Sequence, residues 1–84
     1  MKYRKISTID DLNSAINEGH NDFVMTNGIV RSSKWITYGE KEGEYEILNL
    51  IDDTYDFLTG EQLLNGSNIG KAMKSGSFFC EIDE

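Results

Sequence analysis

Apolar positions first recur at helical spacing: Ile9, Leu12 and Ile16, with Ala15 beside them, predict a helix. Ser7 or Thr8 stands where an N-cap is needed, and Asp10 and Asp11 place negative charge against the amide end of the first turn. Gly19 follows where a left-handed residue closes a helix. The rest of the chain reads mostly as strands. Residues 2–6 alternate weakly, and Phe23-Val24-Met25-Thr26 is a short apolar run before an Asn27-Gly28 turn. Residues 29–38 form a longer strand. A polar loop, Gly39 to Gly43, leads to a return strand over 44–51. With Tyr38 opposite Glu44, this hairpin would carry Trp35, Tyr45 and Ile47 on one face and Ile36, Leu48 and Leu50 on the other. Both faces are then partly apolar, as expected of a central position with a helix on one side.

Asp52-Asp53-Thr54 closes that strand. Thr59 caps a short helix over 60–65, which Gly66 breaks. Ser67 caps another over 68–74 that buries Ile69, Ala72 and Met73. Gly76 stops it, and 77–82, with Phe78, Phe79 and Cys80, forms the last strand. The chain has no proline, so its loops turn on Gly, Asn, Asp and Ser. Grouped strands and helices predict an α+β fold: a small antiparallel sheet of four to five strands, one N-terminal helix, and two short helices before the last strand. At 84 residues, 1–84 reads as a single domain.

Charge changes this picture most. Between residues 40 and 61 stand eight acids (Glu40, Glu42, Glu44, Glu46, Asp52, Asp53, Asp56 and Glu61) and one base, Lys41. That window accounts for the whole net charge of −7, because the seven acids and seven bases elsewhere cancel. Glu40, Glu42, Glu44 and Glu46 are spaced by two, which on an extended strand puts their carboxylates on one face about 6.6–6.8 Å apart, as a phosphate backbone spaces its charges. Glu40 and Glu42 lie in the expected loop, where that regularity is not guaranteed. The plainer reading is a solubilising hairpin tip. The acidity disfavours direct binding to nucleic acid or to anionic membranes, since both need Lys and Arg. The partner it implies is basic: a protein surface, most naturally one that itself binds nucleic acid.

Candidate chemistry is sparse. Asp52, Asp53, Asp56 and Glu61 suggest a calcium loop, but counting from Asp52 the sixth position is Phe57 and the twelfth Leu63, where Gly and Glu are required. Gly66-Ser67-Asn68-Ile69-Gly70-Lys71-Ala72 looks like a phosphate loop. It is one residue short between its glycines and has Ala where Ser or Thr must hold magnesium, so a capped helix fits better. His20 stands alone past a helix end, and Cys80 reads as a buried thiol. One cysteine and no visible leader point to a cytoplasmic protein. No residues group as a catalytic or metal set, so the expectation is a non-enzyme without metal or other cofactor.

Arg31-Ser32-Ser33-Lys34, then Asn49-Leu50-Ile51-Asp52-Asp53-Thr54, then Ser67-Asn68-Ile69-Gly70-Lys71-Ala72 with Gly76 after it, resemble segments of small uncharacterised phage proteins of Gram-positive hosts. In size, acidity and lack of catalytic residues the chain is also similar in type to anti-CRISPR proteins and other phage inhibitors of host defence. That resemblance implies an inhibitor and carries over no functional residue. The leading expectation is a small acidic non-enzymatic inhibitor, of anti-CRISPR or DNA-mimic type, that binds a basic host protein, most naturally one that binds nucleic acid. Its contacts would be Glu40, Glu42, Glu44, Glu46, Asp52, Asp53 and Asp56, with Tyr45, Tyr55 and Phe57 as apolar anchors. One alternative is an oligomer that sequesters an anionic small molecule or nucleotide through Arg31, Lys34, Lys71 and the helix start at Ser67. Another is a structural or regulatory phage adaptor.

Overall fold

The computed structural model describes residues 2–26 and 31–82. Its elements run β1 (Lys2–Lys5), α1 (Ile9–Asn17), β2 (Asp22–Thr26), β3 (Arg31–Tyr38), β4 (Glu44–Asn49), β5 (Thr54–Thr59), α2 (Gly60–Gly66), α3 (Asn68–Ser75) and β6 (Phe78–Ile82). The fold is α+β, as expected, but its antiparallel sheet has six strands, in the order β1-β6-β2-β3-β4-β5. The added strand is β5, which follows the Asp52-Asp53 turn. The expected Asn27-Gly28 turn lies outside the described residues.

Each helix starts where its capping chemistry requires. Thr8 accepts from the Asp11 amide while Asp11 accepts from the Thr8 amide, a reciprocal capping box, and Thr59 and Gln62 repeat the arrangement at α2. Ser67 stands between α2 and α3. Its hydroxyl donates to the Leu63 carbonyl and accepts from the Gly70 amide, so one side chain closes one helix and opens the next. Gly70 is buried at the α2–α3 crossing, where an added Cβ would lie 2.0 Å from the Leu64 carbonyl oxygen. Gly76 ends α3 in the left-handed conformation, at φ 75°.

The connections put all three helices on one face. α1 carries the chain from β1 to β2, and α2 with α3 returns it from the β5 edge so that β6 slots between β1 and β2. The core lies between this helical layer and the sheet. Phe23 of β2 stacks on Phe78 of β6 with ring centroids 5.5 Å apart, surrounded by Ile6, Leu12, Ile36, Leu63, Met73 and Cys80. No helix is long and apolar enough to cross a membrane among the described residues.

The hairpin register differs from expectation by one residue. Tyr38 pairs with Tyr45, Ile36 with Ile47 and Trp35 with Leu48. The Gly39 amide bonds the Glu44 carbonyl at 2.7 Å, and Gly43 turns the chain at φ 79°. Tyr38 thus meets a residue one step further along the chain than the sequence reading places it. Because side chains alternate faces with period two, that slip exchanges every residue of β4 between the two faces.

Candidate functional site

The corrected register decides what the uncovered face presents. Ile36, Tyr45 and Ile47 point to the helices and are buried. Trp35, Leu48 and Tyr55 stand opposite one another across β3, β4 and β5, and Thr37, Glu46 and Phe57 form the next row. These two rows lie on the face without helices. Trp35 is 37% exposed, Tyr55 56% and Phe57 55%, and Leu50 and Ile51 add exposed apolar surface in the loop after β4. At a strand spacing of about 4.8 Å, Trp35 and Tyr55 are roughly 10 Å apart across Leu48. Large aromatics left this open on one surface are the kind of patch that marks an interaction site.

The acids surround this patch and do not form a single tip. Glu44 and Glu46 belong to the open face of β4, paired with Thr59 and Phe57 of β5. Glu40 and Glu42 sit in the loop before β4, and Asp52 and Asp53 in the loop after it, at the opposite end of the strand. Asp56 pairs with Ile47, so it points to the helical side of β5, yet it is exposed. The charge therefore runs the length of the β4–β5 edge, about 17 Å over five residue steps. The four glutamates spaced by two do not make one strand-borne row, because β4 begins at Glu44. Among the described residues, no acid between 40 and 61 takes part in an ion pair. Asp52 is occupied locally: it accepts from the Thr54 hydroxyl at 2.7 Å, which holds its carboxyl below the usual range. Asp53 takes the left-handed conformation at φ 59° and its amide bonds Asn49, closing the turn.

Tyr55 and Phe57 lie where a partner could reach them. Tyr45 does not: it is 5% exposed, donates its hydroxyl to the Asn13 side chain on α1, and its pKa is raised by burial. The expected anchor is a core residue, and Trp35 and Leu48 take its place on the open face. The sequence did contain the signal, since either register of the hairpin put Trp35 opposite an apolar residue, but only the observed one groups it with Tyr55.

The other candidate groups fall in two places. Arg31 donates to the Tyr3 hydroxyl and lies 5.1 Å from that ring's centroid, at the far side of the open face. Lys34 pairs with Phe23 and Asn49, on the helical side. Lys71 borders a separate cleft between α3 and β2–β3, with Met25 and Ser32. Arg31 and Lys34 line one cleft together with Asp22 and Glu81, while Lys71 lies at another, so the three cations and Ser67 do not converge on one ligand position. Arg4 makes a two-point ion pair with Glu18, at 3.0 and 3.1 Å, which raises the arginine pKa and lowers that of the carboxylate. Cys80 is buried, and desolvation pushes its thiol up to about 11. Among the described residues no charged side chain is buried, and no group of three or more His, Cys, Asp and Glu is placed to hold a metal ion.

No protein-family model, no curated protein and no solved structure matches this chain.

Proposed function

We propose that the protein is a non-enzymatic binding module that docks its open sheet face and acidic β4–β5 edge onto a basic protein surface. The observation that carries this reading is a coincidence of place. The segment that holds the entire net charge also carries Tyr55 and Phe57, exposed beside Trp35 on the face the helices leave bare. Apolar anchors ringed by charge are what a protein interface requires: the aromatics supply buried area, and the acids supply charge-assisted bonds to Arg and Lys and speed association. The acids have no ion-pair partners within the described molecule, so no internal ion pair must be broken on docking. A partner surface this basic commonly takes nucleic acid, and covering it would inhibit that partner.

The test is capture from host lysate by wild type and by a variant carrying Glu44→Gln, Glu46→Gln, Asp52→Asn and Asp56→Asn. The expected result is a basic partner that wild type retains at low salt, that duplex DNA displaces, and that the variant loses. A partner held equally by both, insensitive to salt, sinks the reading.

A further inference from the structure

We infer that the site is the free edge of β5, and that its occupant is an extended basic segment of the partner that joins the sheet as a seventh strand. This deepens the reading above and rests on it. β5 is the last strand of the sheet. The Gly60 amide bonds the Gly43 carbonyl, and hydrogen-bonded pairs in an antiparallel ladder recur every second residue. That alternation directs the amides and carbonyls of Leu58, Asp56 and Thr54 toward β4. Those of Tyr55 and Phe57 then point off the edge. The same two residues expose their rings on the open face. A row of outward backbone groups is a template for strand addition.

Side-chain chemistry selects the strand that fits. On the open face an added strand meets Tyr55 and Phe57, which favours apolar residues. On the other face it meets Asp56, with Asp52 and Asp53 beyond one end, which favours Lys or Arg. The complementary segment alternates basic and apolar residues. The same Asp56 disfavours a second copy joined edge to edge about its centre, since two Asp56 side chains would then be directly opposed. β1 of another copy, Lys2-Tyr3-Arg4-Lys5, has the right alternation over its first three residues. However, its Arg4 is held by Glu18, its Tyr3 by Arg31, and each added copy brings another −7.

The experiment uses the intact protein and two capped eight-residue peptides of four lysines and four valines, one strictly alternating and one with the lysines and valines in separate blocks. Amide hydrogen exchange is followed by NMR. The expected result is protection of the Tyr55 and Phe57 amides by the alternating peptide, at least tenfold, with Asp56 and Leu58 already slow in the free protein. The alternating peptide should bind at least tenfold more tightly than the block peptide. Phe57→Pro, which removes an outward donor and leaves the β4 ladder intact, should abolish that preference. Equal binding of both peptides without protection at Tyr55 and Phe57 overturns strand addition and leaves the acidic docking surface standing. Binding of neither peptide, at any salt, overturns both. Concentration-dependent self-association in sedimentation, with Tyr55 and Phe57 protected in the absence of peptide, overturns the choice of occupant in favour of a second copy.

Discussion

The two faces of one sheet are built from the same strands and do opposite things. β3 and β4 give Ile36, Tyr45 and Ile47 to the helical layer, where they are buried, and give Trp35, Leu48 and Glu46 to the bare side. On the covered face these residues belong to the buried core that holds the chain together. On the open face Trp35, Tyr55 and Phe57 each keep more than a third of their surface exposed. Hydrophobicity alone therefore does not say what a residue is for in this protein. Its parity along the strand does.

The sharpest way to break this comparison is to remove a phenyl ring from each face. Phe78→Ala opens a cavity against Phe23 and should cost about 3–5 kcal/mol in urea unfolding, a large share of the stability of so small a domain. Phe57→Ala should change stability by about 0.5 kcal/mol or less. Similar losses for the two would show that the open face is structural. Next in size, Gly70→Ala drives a methyl group into the Leu64 carbonyl and should destabilise by about 1–3 kcal/mol, read as a lowered urea midpoint. The same parity rule is tested with hydroxyls. Tyr45→Phe loses its bond to Asn13 and should cost roughly 1 kcal/mol, whereas Tyr55→Phe should be silent in the same unfolding assay.

The smallest effect concerns pH. The amides of Ser7 and Thr8 hold the Asp11 carboxyl below its ordinary range. A lowered folded-state pKa gives stability that is fully present above the unfolded value, near 3.8, and is lost as pH falls through the folded value. Thermal melts should therefore show wild type above Asp11→Asn at pH 7, with the gap closing below about pH 4. A gap that persists at pH 2 would mean the side chain acts by something other than its charge.

The helices were legible in the sequence because their signals are local. Thr8, Thr59 and Ser67 cap them, and Gly19 and Gly76 take the positive φ that ends α1 and α3. The sheet was less so. β5 has no counterpart in the sequence pattern because the acids at 52, 53 and 56 dominate it, although Thr54-Tyr55-Asp56-Phe57 alternates as an exposed strand does. An edge strand with its apolar side in water lacks the burial pattern by which strands are usually found. The place of β6 between β1 and β2 depends on contacts far apart in sequence, which no local pattern records. Of the candidate site, the acids and Tyr55 were legible as composition. Tyr45, expected as an anchor because it stands among the acids, is a core residue, and Trp35 parts from it because the β3–β4 register differs by one residue.

The order of strands has an electrical consequence. β1, with Lys2, Arg4 and Lys5, is one edge of the sheet, and β5, within the segment of net charge −7, is the other. Five strand spacings separate them, roughly 24 Å. The molecule is thus a lopsided dipole whose negative pole is the β5 edge. In the field of a basic surface it rotates before it touches, so that first contact is made by the strand edge and aromatic face proposed to bind, and fewer collisions are spent on the wrong side.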